Sequence, residues 1–180
     1  MIQFRRLPSD VVVLGCGNPS RGDDALGPAL MARLAAWCHR HPNRSVEGLE
    51  DFQFQVEHAL DIQGRQLVLF IDAAASGPIP YALRPVAPAL AISASTHALS
   101  PSGVLKAFLT LACGPLPPTF SLEVRGHAFD LGEELSPQAR LNLEAAWALI
   151  EELLEAPSAD GWMDRCTPAR ETRMEAASGS

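Results

Sequence analysis

Two carboxylates and an imidazole stand at three widely separated points of this sequence, Asp24, Asp72 and His97. Each lies where a short apolar run or a helix start would place it at one end of a sheet. Asp72 closes the apolar run QLVLFIDA. Asp23 and Asp24 follow the run VVVLGCG by a few residues, and His97 lies in STHALSP, just ahead of a helix start. In an open parallel sheet, ligands bind beyond the carboxyl ends of the strands, where loops and helix N-termini converge. Two carboxylates and an imidazole in one such crevice would suit a borderline divalent cation and leave coordination positions open for a substrate. No local motif joins the three positions, so only the fold can assemble them. Each residue also has an ordinary use: a carboxylate at a helix start can be a cap, and an Asp after a strand can make an Asx-turn. A histidine in a Ser/Ala-rich loop can be incidental, as His39, His41, His58 and His127 are expected to be.

The elements that must hold these residues follow from the hydrophobic pattern. Val11–Gly17 and Gln66–Ala73 are apolar throughout, as strands buried on both faces are. Ser45–Leu49, Tyr81–Val86 and Thr119–Val124 read as further strands, and Pro80 and Pro85 put the second of these at or near a sheet edge. A helix carrying Leu30, Leu34 and Trp37 opens between Asp23 and Pro28, since proline is tolerated only in a first turn. Phe54–Ile62 suggests a short helix. Ser100-Pro101 and Ser136-Pro137 each supply an N-cap followed by proline at the first helical position. The alternation predicts a three-layer α/β/α sandwich around a twisted, mainly parallel five-stranded sheet. One domain over residues 1–155 is expected, with a loose polar tail over 156–180.

Composition narrows the function classes. Apolar residues make up 47% of the 180 and charged residues 19%, a globular balance. A net charge of -7 lacks the basic footprint of a nucleic-acid binder. The four cysteines are scattered without a CxxC pair, which argues against a zinc ribbon or a disulfide framework and for reduced thiols. No apolar run approaches the roughly 18 residues that span a bilayer, and the N-terminus has no signal-type apolar segment. A cytoplasmic protein without membrane partners is expected. GCGNPS resembles the start of a dinucleotide fingerprint, but Ser20 replaces the third glycine. Two carboxylates at the following helix start would also repel a pyrophosphate. A nucleotide- or phosphate-binding module on the same doubly wound fold, or a non-catalytic docking scaffold, remains the alternative.

The string LGCGNPSRGDDALGP, Leu14–Pro28, is similar to the N-terminal signature of the nickel–iron hydrogenase maturation proteases. FIDAAASG, Phe70–Gly77, and STHALSPSGVL, Ser95–Leu105, resemble that family's second and third motifs in the same order. The resemblance implies an endopeptidase that removes the C-terminal extension of a nickel-loaded hydrogenase large subunit. It implies Asp24, Asp72 and His97 as both the catalytic and the nickel-binding residues. Nickel would be carried by the substrate precursor, and no tightly bound metal of the protein's own is expected. Asn18, Arg21 and Asp51 are the residues it suggests for substrate recognition. Where the family has an Asp-Gly-Gly-Thr type segment, this chain has Glu50-Asp51-Phe52-Gln53, and a bidirectional NAD-reducing hydrogenase is the expected source of the substrate. Neither GxSxG nor another serine or cysteine nucleophile motif is present. A ligating His97 would be neutral, so binding should weaken as pH falls.

Overall fold

A computed structural model describes residues 10–90 and 99–168. The five strands are β1 (Val11–Cys16), β2 (Val46–Asp51), β3 (Leu67–Ala74), β4 (Tyr81–Pro85) and β5 (Thr119–Arg125). They form one sheet in the order β2-β1-β3-β5-β4, in which only the β4–β5 pair is antiparallel. The helices are α1 (Leu26–Arg40), α2 (His58–Asp61), α3 (Pro101–Thr110), α4 (Pro137–Glu155) and α5 (Ala159–Asp164). The three-layer α/β/α sandwich expected from the sequence is the architecture found. Proline does place β4 at an edge.

Successive residues of a strand point to opposite faces, and both faces of this sheet are buried. Val11, Val13, Leu69 and Ile71 pack with Leu30 and Leu34 of α1 and with Ile150 and Leu154 of α4. Val12, Leu14, Cys16, Val68 and Phe70 pack on the opposite side with Ala59 of α2 and with Val104 and Phe108 of α3. That double burial is why the strands read as unbroken apolar runs. Ser100 and Ser136 cap α3 and α4 as expected, each side-chain oxygen accepting from the backbone N–H three residues on, at 3.2 Å.

Two elements differ from expectation. The helix foreseen over 54–62 is only one turn, because the backbone before it is bonded elsewhere: Leu99 N–H donates to the Phe54 carbonyl at 2.9 Å and Gln55 N–H to the His58 ring at 2.9 Å. The chain also does not loosen at Ala156. Residues 159–164 form α5, whose Trp162 is buried edge-on against Phe120 and donates its indole N–H to the Leu153 carbonyl at 2.9 Å. Thr167 then bonds Leu83 of β4 in both directions. The polar composition of this stretch hid a single anchoring tryptophan.

Candidate functional site

Strand order reverses between β1 and β3: the chain leaves β1 for β2 on one side and returns to β3 on the other. At such a switch point the connecting helices lie on opposite faces and a crevice opens above the strand ends. Cys16 ends β1 there, and Asp72 lies near the end of β3. Gly15 pairs with Ile71 in the β1–β3 register, so Cys16 and Asp72 come next along it, side by side and on the same face. On the other side Cys16 pairs with Asp51, the last residue of β2.

The turn after β1 brings Asp24 over this end of the sheet. Gly17 has φ +145, and a Cβ there would lie 2.0 Å from the Asp24 carbonyl oxygen. Gly27 permits a similar approach, since a Cβ on it would lie 1.9 Å from the Cys16 carbonyl oxygen. Glycine at both positions lets the single 3-10 turn Gly22–Ala25 and the start of α1 close down on the strand. Asp24 accepts the Asn18 N–H at 2.9 Å through one carboxylate oxygen, and Asn18 Oδ1 in turn accepts the Ser20 N–H at 2.9 Å. Its charge reaches both Asp72 and Cys16.

Asp72 is in an unusual state for an aspartate. Burial raises its pKa to about 6, the charges of Asp24 and Glu123 add to the effect, and hydrogen bonds from the Cys16 thiol and the Ala73 N–H oppose it. Burial, with the Asp72 charge beside it, drives the Cys16 thiol far above its ordinary range. Cys16 therefore stays protonated at neutral pH and donates to Asp72, and it is no nucleophile. The contact between Cys16 and Asp72 was not visible from spacing.

Asp51 borders the same end of the sheet. Its carboxylate accepts the Phe52 N–H at 2.6 Å and the Gln55 side chain at 3.3 Å, and lies 3.8 Å from His58 Nε2. His58 Nδ1 accepts the Gln55 N–H, so a neutral ring carries its proton on Nε2, facing Asp51. His58, expected to be incidental, is buried beside Asp51 and holds the Gln55 backbone in place. A cleft of about 430 Å³ opens here, lined by Gly17, Pro19, Glu50, Asp51 and Phe52. Arg21 is exposed on the loop over the same end, and Asn18 is half-buried beneath it.

Asp23 and Asp24 part company. Asp23 is fully buried and accepts from the backbone N–H groups of His127, Ala128 and Ser136 and from the Ser136 hydroxyl. Burial disfavours its charge, but these four donors outweigh burial and hold its pKa below the usual carboxylate range. It is a structural anchor. His97 lies outside the described residues, and among the described residues no three His, Cys, Asp or Glu side chains are grouped to hold a metal ion. Nor is any described helix long and apolar enough to cross a membrane.

No family model and no curated protein matches this sequence. Solved structures share its fold. A nickel–iron hydrogenase maturation protease, HycI, from Thermococcus kodakarensis KOD1 superposes with a TM-score of 0.59 at 24% identity, over 82% of this chain and 94% of that one. The hydrogenase maturating endopeptidase HybD from E. coli gives 0.57 at 20%, over 81% and 92%. The hydrogenase 3 maturation protease gives 0.54 at 20%, over 77% and 86%. At these identities the likeness is one of fold.

Proposed function

We propose that the protein is an endopeptidase that removes the C-terminal extension of a nickel-loaded nickel–iron hydrogenase large subunit. Asp24, Asp72 and His97 grip the nickel that the substrate carries. The observation that carries this reading is the paired placement of Asp24 and Asp72 at the switch point of a fold shared with solved maturation proteases. Support also comes from the three sequence motifs, which hold their order across the first 105 residues.

Two carboxylates and one imidazole are too few for a closed structural site. They suit a metal that arrives already held by another protein. Asp72, whose pKa is raised to about 6, still ionises at neutral pH, and a cation would draw it further toward the carboxylate. Asp24 has one oxygen tied to Asn18 N–H, which fixes its direction. With the nickel seated, the scissile peptide is held beside a polarising cation and an acceptor for a proton from attacking water. Asp51 in the cleft lining, and Asn18 and Arg21 on the loop after β1, take part in substrate recognition, and the segment Glu50-Asp51-Phe52-Gln53 sets the substrate type, which we assign to a bidirectional NAD-reducing hydrogenase in the cytoplasm.

The test is cleavage of nickel-loaded against nickel-free precursor by the purified protein. Cutting of the loaded form alone is expected. Efficient cutting of the nickel-free form, or inactivation by reagents specific for serine or cysteine, would defeat the proposal.

A further inference from the structure

The two edges of the sheet are not alike. β4 closes one edge, and its central outward position, Leu83, is already bonded. Leu83 N–H donates to the Thr167 hydroxyl at 3.1 Å, Leu83 C=O accepts the Thr167 N–H at 2.8 Å, and Pro85 has no N–H to offer. At the other edge, among the described residues β2 pairs with β1 alone. Val11 N–H bonds the Ser45 carbonyl and Gly17 N–H the Asp51 carbonyl, which fixes the direction of every group along the strand. In a strand the N–H and C=O of one residue point the same way, and the direction alternates. Residues 45, 47, 49 and 51 therefore face β1, while Val46, Gly48 and Glu50 turn their backbone groups outward. Cys38 Sγ lies 4.0 Å from the Val46 carbonyl. Gly48 and Glu50 are exposed, and among the described residues neither has an outward backbone partner.

This open edge leads directly into the cleft. Glu50 and Asp51 belong to both, and the cleft continues past Gly17 and Pro19 toward the switch point where Asp24 and Asp72 stand. Phe52, 65% exposed, and Val56, 47% exposed, flank the corner. Glu47, Glu50 and Asp51 give the edge the acidic character that discourages casual pairing while leaving the backbone groups available.

We infer that the outer edge of β2 is a docking lane for the C-terminal extension of the substrate, which adds to the sheet as a strand antiparallel to β2. The inference rests on the protease reading above. Direction follows from geometry. The metal-bearing body of the substrate precedes the scissile bond, so the extension starts at the switch point and runs away from it. β2 runs toward it. The lane lies three strand spacings from β3, about 14 Å, which about four extended residues span. The first four residues of the extension cross the cleft, and those that follow pair with Glu50 and then Gly48 through main-chain hydrogen bonds. Recognition there tolerates varied side chains but not proline at the pairing positions.

Two measurements on the full-length protein decide it. The first is amide hydrogen exchange, with and without nickel-loaded precursor, read within the first turnover. The N–H groups of Gly48 and Glu50 should become protected at least about tenfold in the complex. The second is kinetic. Glu50→Pro removes one outward N–H and takes nothing from the β1 ladder. Relative to Glu50→Ala, which loses the same side chain but keeps the N–H, it should raise KM at least about tenfold with kcat within about twofold. That KM should match the one wild-type protein shows for precursor whose extension is cut to four residues. A folded Glu50→Pro protein with the KM of Glu50→Ala, or unchanged exchange at Gly48 and Glu50 while precursor is being cut, overturns the docking lane and leaves the protease reading standing. Protection that needs no precursor and grows with protein concentration assigns the edge to a second copy, and also overturns it. Wild-type protein that neither binds nor cuts nickel-loaded precursor overturns both.

Discussion

Asp23 and Ser136 are joined twice across 113 residues of sequence: the Ser136 N–H donates to one carboxylate oxygen at 2.6 Å and its hydroxyl to the other at 2.8 Å. The same hydroxyl oxygen accepts the Ala139 N–H at the start of α4. One aspartate thus ties the turn above the site to the N-cap of α4, which packs beside α1 on the same face of the sheet.

Asp23→Asn should therefore unfold the protein more readily without touching the chemistry directly. Loss of a buried, charged acceptor of several hydrogen bonds costs about 3 kcal/mol, or a fall in Tm on the order of 10 °C for a domain of this size. Asp24→Asn, one residue on, should lose cleavage with little change in Tm. The sign with pH is fixed. Because the folded-state pKa of Asp23 is lowered, its contribution is complete above the ordinary carboxylate range and disappears as pH falls below it. Thermal melts of both variants from pH 3 to pH 7 check the pair.

Asp72→Asn should do the opposite to stability. The carboxyl binds its proton more tightly folded than unfolded, with a pKa raised to about 6 from 3.8, so wild-type protein loses stability as pH rises through that interval. An amide does not titrate. The variant should gain up to about 2–3 kcal/mol over wild type above pH 6, with no advantage below pH 4. It should also fail to process nickel-loaded precursor. A variant that melts below wild type at pH 7 would show that Asp72 is a structural residue.

His97→Ala should abolish processing and leave Tm within about 2 °C, as expected for a histidine in a Ser/Ala-rich loop. His39, exposed near the end of α1, is the control. His58 cannot serve as one, because His58→Ala leaves the Gln55 N–H without its acceptor and costs about 1–2 kcal/mol. Wild-type processing by His97→Ala would remove it from the site.

Trp162→Ala should cost about 3–5 kcal/mol, the range for emptying a buried tryptophan site, although it lies in a stretch whose composition reads as a tail. Chemical denaturation with linear extrapolation measures it directly. A cost below 1 kcal/mol would mean that α5 is not part of the folding unit.

The legible and illegible parts of this sequence divide along the range of the interactions. β1 and β3 could be read because a strand buried on both faces needs nothing but apolar residues, and α3 and α4 because a Ser-Pro start is a local signal. Asp24 and Asp72 could be placed because strand ends in a parallel sheet converge by rule. What stayed hidden depends on partners far along the chain. Asp23 has its donors at 127, 128 and 136. Cys16 meets Asp72 only through sheet register, and His58 gains its place from a ring nitrogen that replaces a backbone acceptor. Trp162 finds Phe120 on one face of the sheet, 42 positions earlier in the chain, which no periodicity in a six-residue helix announces.

The bond between Thr167 and Leu83 has a consequence for assembly. A sheet that can be extended on both sides is a bivalent unit, and bivalent units polymerise into ribbons without limit. With Leu83 bonded to its own chain, the β4 side offers fewer free backbone groups to a second copy than the β2 side does. Thr167 is the stopper there. Were residues 165–168 to peel away, each molecule would regain those groups, and the solution would acquire an easier route to fibres.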